Sequence, residues 1–463
     1  MVFSSLEFLF LYFAVSIFIY FAVPLKWRNT VLLLVSLVFY GWGEPVYVFL
    51  MIATILIDYA CGFFVDKYKE TSKKKSKGFM ITAIVINLAL LGFFKYYNFI
   101  AENLNVLSFI DLPKIDVSLP IGISFYTFQA LSYVIDVYRN DAKVQKNPVS
   151  FGAYVTLFPQ LIAGPIVRYQ DVDDELRSRP HNTVMLSSGI KTFICGLAKK
   201  VLLANQAGAL WDSFKGSGTV VGAWLGILFF SFQIYFDFSG YSDMAIGLGK
   251  MMGFTFRENF YYPYTSKSVT EFWRRWHISL GTWFREYVYI PLGGNRKGRV
   301  RTYFNIFVVW FLTGLWHGAS WNFILWGLYF FVILVIEKSF LLKKLEKAPP
   351  FISHAYTLIL IFFCWWLFAF DDMAAGMEYL KVMFGSSGVL TTSAVNFDIV
   401  SNLALLAILI ISSTPLPKKL YYKLWEKHAA ARWVFAVLTV AVLVICTSYL
   451  VNSSYNPFLY FRF

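Results

Sequence analysis

Apolar residues fill long stretches of this chain, and short polar segments separate them. A stretch of about 20 mostly apolar residues is long enough to cross the ~30 Å hydrocarbon core of a bilayer as a helix. We therefore predict membrane-spanning helices on both sides of a less regular middle region. The candidate spans lie near residues 3–23, 30–42, 45–64, 79–94, 302–316, 320–336, 353–370, 396–414 and 433–450.

The middle of the chain, residues 95–301, has a weaker pattern. Only 219–236 is an uninterrupted apolar stretch there, and the other candidates contain Pro, Gly or charged residues. Broken helices are tolerated at membrane depth only where protein or water surrounds them. We expect re-entrant or interfacial helices here, near 118–138, 150–167 and 189–205.

Composition favours the same interpretation. The chain is 58% hydrophobic and 15% charged, whereas average soluble domains carry roughly 25% charged residues. A soluble chain has no means of burying this much apolar surface, and disorder requires low hydrophobicity. The predicted fold is an all-α polytopic membrane protein with about 10–12 transmembrane helices. We predict one integral-membrane domain over 1–463, with N-terminal spans in 1–94, a central region in 95–301 and C-terminal spans in 302–463.

The net charge of +14 fits this topology. Cytoplasmic loops of membrane proteins collect Lys and Arg, so the basic excess indicates orientation and not a nucleic-acid partner. Both termini are then expected outside the cytoplasm, and Lys26 and Arg28 inside. The loops assigned to the cytoplasmic face are Lys67–Lys77, Arg296–Arg301, Lys338–Lys347 and Lys418–Lys427.

Soluble-enzyme and metal motifs are missing from the sequence. The four cysteines are far apart, which indicates neither a disulfide framework nor a zinc site, and we expect all four to be buried. The chain has no Walker loop, no GxSxG elbow and no HExxH pair. Any chemistry must come from sparse polar groups within the membrane.

His317 is the strongest candidate among these groups. It lies in a turn between two apolar stretches, and the helix predicted before it, Thr302–Trp316, is only about 15 residues or roughly 22 Å long. His317 should therefore lie at membrane depth, where an ionisable residue is costly and is by default a functional candidate. A neutral imidazole there suits general-base work. The alternative is a histidine that only hydrogen-bonds a neighbouring helix.

His277 is the second candidate. Ser268 and Glu271 form a capping box that predicts the start of a helix. Continued past His277 to Tyr287, this helix has an aromatic face and a charged face, with His277 on the boundary. Such a helix is typical of the membrane interface. The alternative is an interfacial anchor in which His277 has no role.

Other polar groups have weaker claims. For the membrane-depth carboxylates Asp58, Asp136, Asp237 and Asp243 we favour hydrogen bonding within the helix bundle over catalysis. Arg296 and Lys297 are candidates for binding the phosphates of an anionic donor, although topology accounts for them equally well.

Two segments resemble a known family. FWRRWHISLGTWFREYVYIPLGGNR at 272–296 and WHGASWNFILWG at 316–327 resemble the two histidine regions of the membrane-bound O-acyltransferase (MBOAT) family. The resemblance is closest to the alginate O-acetyltransferase branch, whose bacterial members acetylate exported polysaccharides. It extends to FPQLIAGPIVR at 158–168, QIYFDFSGYSDMAIGLGKMMG at 233–253, NFYYPYTS at 259–266 and FLYFRF at 458–463.

The resemblance implies that His317 is the catalytic histidine and His277 the second conserved polar position. It implies a helical ring around a thinned centre in the bacterial plasma membrane, reached by a donor from the cytoplasm and an acceptor from outside. The donor is then an acyl thioester, most simply acetyl-CoA, used as a substrate with no bound cofactor. The implied acceptor is an exported polysaccharide, reached through an extracytoplasmic SGNH-hydrolase-like partner.

Three other functions stay open on the sequence. One is a D-alanyl transferase that modifies teichoic acid from a carrier-protein thioester. A second is an acyltransferase that modifies lipid or protein. The third is a transporter or flippase of a cell-envelope intermediate, which would favour internal repeat symmetry, a pattern that we do not find in the sequence.

Overall fold

The computed structural model describes residues 2–107, 110–180, 182–452 and 458–459. These residues form helices and connecting turns, with no strand among them. The predicted all-α class is confirmed. The long apolar segments form helices because, in a bilayer, the backbone of each segment must satisfy its hydrogen bonds within that segment.

One compact unit comprises Met1–Phe193 and Tyr241–Arg257. Within it, the buried Asp58 carboxylate accepts a hydrogen bond from Asn87 at 2.7 Å, as the bundle interpretation predicts. Its helices are α1 (Phe13–Ala22), α2 (Arg28–Gly43), α3 (Tyr47–Tyr68), α4 (Lys73–Leu104), α5 (Ile123–Arg139), α6 (Pro148–Thr156), α7 (Phe158–Leu161) and α8 (Asp173–Arg177).

The other unit comprises Ile194–Gly240 and Glu258–Phe463 and contains both candidate histidines. Two helices contribute residues to both units, α9 (Thr183–Ala198) and α11 (Val220–Met251). The remaining helices are α10 (Asn205–Lys215), α12 (Val269–Trp273), α13 (Ile278–Phe284), α14 (Arg299–His317), α15 (Trp321–Ile336), α16 (Leu342–Lys347), α17 (Pro350–Ala369), α18 (Met373–Met383), α19 (Ser393–Ser401), α20 (Leu403–Ser412), α21 (Leu416–Lys427) and α22 (Ala429–Asn452).

Short wide (π) turns and 3₁₀ turns interrupt or join these helices. A π turn marks a place where one extra residue enters a helical turn, and such turns are frequent at functional sites. The π turns are Glu7–Tyr12, Lys199–Ala204, Arg285–Tyr289 and Glu337–Leu341, and the 3₁₀ turns are Leu25–Trp27, Tyr169–Asp171 and Pro263–Thr265.

Fewer helices qualify as membrane spans than the sequence predicts. Six are long and apolar enough within the described residues, or seven if α19 and α20, bent by 55°, form one span. The predicted count of about 10–12 is not reached because several apolar stretches form shorter helices, as α2 does with 16 residues. The six are Tyr47–Tyr68, Lys73–Leu104, Val220–Met251, Trp321–Lys347, Pro350–Ala369 and Ala429–Asn452.

Helices α14 and α15 form a hairpin whose backbones come close together. A Cβ on Gly314 would collide with the carbonyl oxygen of Phe323, and a Cβ on Gly327 would collide with that of Trp310. Small residues allow this approach between helices in membranes. The hairpin therefore fixes the turn that follows His317.

Two predictions, the length of the helix before His317 and the burial of one cysteine, are wrong. Helix α14 has 19 residues instead of about 15 and is about 28 Å long, so its length no longer supports a position of His317 at membrane depth, which stays a prediction. Cys61, Cys364 and Cys446 are buried as predicted, whereas Cys195 is exposed because it lies on an outward side of α9.

Candidate active site

His317 is the last residue of α14 and is only 5% exposed. Aromatic rings surround its imidazole. The Trp326 ring meets it edge to face at 4.8 Å between centroids, and the Phe368 ring does so at 5.4 Å. Helix α15 supplies Trp326 and α17 supplies Phe368. Packing against neighbouring helices therefore buries His317.

A cavity with about 370 Å³ of empty space lies against His317. Its walls are mostly aromatic, and His317 and Asp237 are its ionisable lining residues. Ligand sites are commonly apolar cavities with a few convergent polar groups. The lining residues are Ile234, Asp237, Phe238, Trp276, His317, Trp326, Trp365, Phe368, Phe458 and Leu459.

His277 lies at a break between two short helices. The predicted continuous helix is wrong, because α12 ends at Trp273 and α13 begins at Ile278. Between them His277 has φ +45° and ψ +54°, a left-handed conformation that is uncommon for a residue other than glycine. The first half of the predicted capping box is present, with Ser268 Oγ accepting from the Glu271 N–H at 3.0 Å. The break turns His277 inward, where it is 1% exposed.

Hydrogen bonds fix the tautomer of His277. The side-chain oxygen of Asn259, Oδ1, accepts from the Ser279 N–H at 3.1 Å and from the Ser279 hydroxyl at 2.9 Å. The same oxygen lies 3.2 Å from His277 Nδ1. An amide oxygen only accepts, so Nδ1 carries the proton and donates it. The lone pair is then on Nε2, which is buried and has no hydrogen-bond partner among the described residues.

Burial also determines the charge of His277, which lies outside the six candidate spans. Desolvation lowers the pKa of this imidazole to about 3, because burial disfavours the charged form. Among the described residues, the ring contacts Asn259, Ser279, Phe238 and Trp316, all of which are uncharged. His277 is therefore neutral at physiological pH, with Nε2 as a hydrogen-bond acceptor.

A buried carboxylate holds the segment that leads to His277. Glu337 is 0% exposed and its two oxygens accept from the N–H groups of Val269 and Thr270, each at 2.7 Å. One oxygen also accepts from the Thr270 hydroxyl at 2.6 Å. These bonds satisfy backbone donors at the start of α12 that have no partner within the helix. Sequence reasoning missed Glu337, since it adjoins a basic loop and has no motif around it.

One indole joins the two histidines. The Trp316 ring lies 5.1 Å from the His317 ring and 5.8 Å from the His277 ring, edge to face in both cases. Phe238, which lines the cavity, meets the His277 ring at 4.7 Å. The structure thus brings together the two histidines that the sequence singled out.

Asp237 forms a buried ion pair and also holds a distant segment. Its carboxylate lies 2.5 Å from Lys200 Nζ, and its other oxygen accepts from the Leu459 N–H at 2.6 Å. Leu459 and Phe458 line the cavity through this contact. Of the aromatic tail at 458–463, only these two residues lie within the described part of the chain.

The other candidates lie elsewhere. Arg296 and Lys297 are exposed in the turn before α14, so about 28 Å of helix separates them from His317. His354 donates to the Ser266 carbonyl at 3.1 Å, His428 is exposed, and His181 is outside the described residues. Within the described part, no group of three or more His, Cys, Asp or Glu side chains could hold a metal ion.

Comparison with known proteins identifies the family. The model of the MBOAT, membrane-bound O-acyltransferase family, matches residues 139–370, which include both histidines. The probable alginate O-acetylase AlgI of Pseudomonas putida is 38% identical over the full length of both chains. The peptidoglycan O-acetyltransferase of Helicobacter pylori is 31% identical over 84% of this chain and 81% of its own. The teichoic acid D-alanyltransferase of Streptococcus thermophilus is 30% identical over 48% of this chain and 58% of its own. The chain belongs to the membrane-bound O-acyltransferase family.

Proposed function

We propose that this protein is a membrane O-acetyltransferase that acts on an exported polysaccharide. The observation that carries the proposal is the buried His317 in an aromatic cavity, joined to His277 through Trp316. Full-length similarity to a probable alginate O-acetylase supports acetyl as the group transferred.

His317 acts as the general base. Its neutral imidazole removes the proton from the acceptor hydroxyl while that oxygen attacks the thioester carbonyl carbon. A C–O bond forms and the C–S bond breaks. The imidazolium then returns the proton to the departing thiolate, which leaves as a free thiol, and neutral His317 is restored. A dry aromatic cavity favours this chemistry, because it excludes competing water.

His277 orients the acceptor. With its proton on Nδ1 and bonded to Asn259, the ring presents only the lone pair on Nε2. It therefore accepts a hydrogen bond and has no proton to offer to a developing oxyanion. Of the two roles a second histidine takes in such a site, orientation and charge stabilisation, this geometry favours orientation.

The donor is an acyl thioester on the cytoplasmic side, most simply acetyl-CoA. Acyl thioesters are made in the cytoplasm, whereas exported glycans are modified outside it. Transfer therefore runs from a cytoplasmic donor to an extracytoplasmic acceptor. An SGNH-hydrolase-like partner outside the membrane is the proposed route to the polymer.

The test is acetylation of the polymer in a strain that lacks this gene. Wild-type protein should restore the acetate released from purified polymer by mild alkali, and His317→Ala should restore none while accumulating in the membrane. His428→Ala is the matched control, because His428 is exposed and does not line the cavity. Acetate release at the wild-type level with His317→Ala would overturn the proposal.

The products that mild alkali releases also distinguish acetyl transfer from the other candidate functions. Similarity to a teichoic acid D-alanyltransferase over half of this chain makes D-alanyl transfer the second candidate. In that case alkali releases D-alanine from a teichoic acid and no acetate. A transporter or flippase predicts movement of a substrate with no ester formed.

A further inference from the structure

Two arginines converge on one buried tyrosine in the unit that comprises Met1–Phe193 and Tyr241–Arg257, which contains neither His277 nor His317. Arg28 and Arg179 place their guanidinium carbons 5.0 Å and 5.8 Å from the centre of the Tyr20 ring. The Tyr20 hydroxyl donates to the Met252 carbonyl at 2.6 Å, so its orientation is fixed. Both positive charges act on this phenol oxygen.

Both guanidinium groups interact with the Tyr20 hydroxyl, but part of their hydrogen-bonding capacity has no partner among the described residues. Arg28 Nε and Nη1 and Arg179 Nη1 are buried and have no hydrogen-bond partner among the described residues. Each unsatisfied buried donor is costly, and two like charges close together repel. The carboxylate of Glu175 acts on Arg179, but both its oxygens accept from the Thr255 N–H at 3.1 Å. This arrangement favours an additional anion.

A cavity is lined by residues that neighbour the two arginines in space or in sequence. It has about 550 Å³ of empty space, and its lining includes Phe21, Pro180 and Lys250. The Arg28 guanidinium lies 5.4 Å from the centre of the Phe21 ring, and Pro180 directly follows Arg179. Lys250 adds a third positive charge at the cavity wall.

We propose that Arg28, Arg179 and Lys250 bind phosphate groups of the thioester donor. The inference rests on the proposed function, which requires a donor from the cytoplasmic side, the side on which the sequence predicts Arg28 to lie. Guanidinium groups match phosphate oxygens in charge and in the geometry of paired N–H donors. Arg296 and Lys297, which the sequence suggests for this role, are exposed and line neither of the two cavities described above. The ligand class is a nucleotide-bearing thioester such as a coenzyme A ester.

The test is binding of coenzyme A to purified protein in phosphatidylcholine nanodiscs, measured by titration calorimetry. The double variant Arg28→Gln with Arg179→Gln should weaken binding about 10- to 100-fold, as expected for loss of charged hydrogen bonds. Pantetheine, which has the same thiol arm without phosphates, should bind wild type and variant equally. The matched control, Arg296→Gln with Lys297→Gln, should change coenzyme A affinity less than twofold.

A conservative pair guards against misfolding. Arg28→Lys with Arg179→Lys keeps both charges but loses the paired donors, and should bind with intermediate affinity. Unchanged affinity in the Gln pair, or equal loss in the control pair, overturns the inference. Absence of coenzyme A binding to the wild type, in a strain that still acetylates its polymer, overturns both the inference and the coenzyme A donor. Normal coenzyme A binding by the wild type with retained acetylation in His317→Ala would overturn the proposed function alone.

The phosphate of a lipid headgroup offers the arginines the same charge and oxygen acceptors as the phosphate of the donor. The second part of the experiment therefore distinguishes the two ligands. Nanodiscs that contain phosphatidylglycerol should leave coenzyme A affinity within twofold if the site serves the donor. If the Gln pair instead loses enrichment of phosphatidylglycerol, measured by native mass spectrometry, with coenzyme A affinity unchanged, the site binds lipid and the donor assignment is wrong.

Discussion

The two histidine segments are built in different ways. His317 ends a regular 19-residue helix and is followed by a tight turn that the glycine contacts between α14 and α15 hold in place. His277 lies in a left-handed break between two short helices, where its position depends on residues distant in sequence. Glu337, 68 residues from Val269, secures the start of α12, and Asn259 holds the ring itself.

This difference indicates which changes affect each histidine. A residue positioned by its own helix is sensitive mainly to changes in that helix and its neighbour. A residue positioned by long-range polar contacts is lost when any one of those contacts is removed. Non-glycine residues in left-handed conformations persist only where the surroundings enforce them. His277 is therefore the more fragile of the two.

The largest expected effect separates the two histidines by role. His317→Gln removes the proposed general base and should lower acetyl transfer about 10²- to 10⁴-fold. His277→Gln removes an orienting acceptor and should cost about 10-fold, because orientation by one hydrogen bond contributes less than proton transfer. The measurement is alkali-released acetate per amount of membrane protein. Equal losses in both variants would contradict the separate roles.

The next effect concerns the Glu337 carboxylate, the anchor that holds the start of α12. Glu337→Ala leaves the Val269 and Thr270 N–H groups buried without an acceptor and should destabilise the fold by about 3 kcal/mol. Thermal unfolding in detergent and acetyl transfer should both decline, and Glu337→Gln, which keeps one acceptor oxygen, should decline less.

Glu378→Ala is the control for the anchor. Glu378 forms an exposed ion pair with Lys381, and exposed pairs are worth about 0–1 kcal/mol. Its removal should leave both measurements unchanged. A Glu337→Ala protein with the stability and activity of the wild type would show that the His277 break does not depend on this carboxylate.

The stability of the hairpin formed by α14 and α15 should depend on side-chain volume at its glycines and not on charge. Gly314→Ala places a Cβ against the Phe323 carbonyl oxygen and should cost about 1–3 kcal/mol as the helices separate. Gly78→Ala is matched, because Gly78 lies within α4 with nothing within 4 Å of the added Cβ. There the same change should stabilise the helix by about 1 kcal/mol. Similar melting temperatures for the two variants would disprove the close approach.

The smallest effect is a shift in pH dependence. Asn259→Asp places a carboxylate beside His277 Nδ1 and should raise the pKa of the imidazole from about 3. The neutral ring is the active form, so transfer should be lost as pH falls through the raised pKa, at a pH where the wild type stays active. Above that pKa the loss should be less than about threefold.

Asn259→Ala provides the comparison for this shift. It removes the acceptor without adding charge, so acetyl transfer should decline at every pH. The pH at which activity falls on the acidic side of the pH–activity profile, its acidic limb, should stay where it is in the wild type. A displaced limb in Asn259→Ala, or none in Asn259→Asp, would contradict the tautomer assignment.

The sequence was sufficient for whatever depends on local pattern. Apolar stretches located α14, α15 and α17 to within a few residues, and the Ser268 cap marked the start of α12. The predicted helix before His317 is four residues too short, because Arg299–Arg301 continue the helix at its start and His317 continues it at its end.

The remainder depends on contacts that local pattern does not contain. Helical periodicity continues across His277, so the sequence predicts one helix, whereas packing of Phe238 and Trp316 against the imidazole requires a break. Glu337 and Asn259 acquire their roles only from partners brought near by folding. Lys200 similarly lies in an apolar stretch, and its pairing with Asp237 has no counterpart in residue spacing.

The bond between Asp237 and Leu459 has a consequence for biosynthesis. The two residues are 222 positions apart, so at about 5–20 residues per second the ribosome takes on the order of 10–45 s to make the second after the first. During that interval one wall of the cavity beside His317 does not exist. This cavity is therefore among the last parts of the molecule to be completed. If it is the site of acetyl transfer, as we propose, a nascent chain that lacks residues 458 and 459 should occupy the membrane without being able to react.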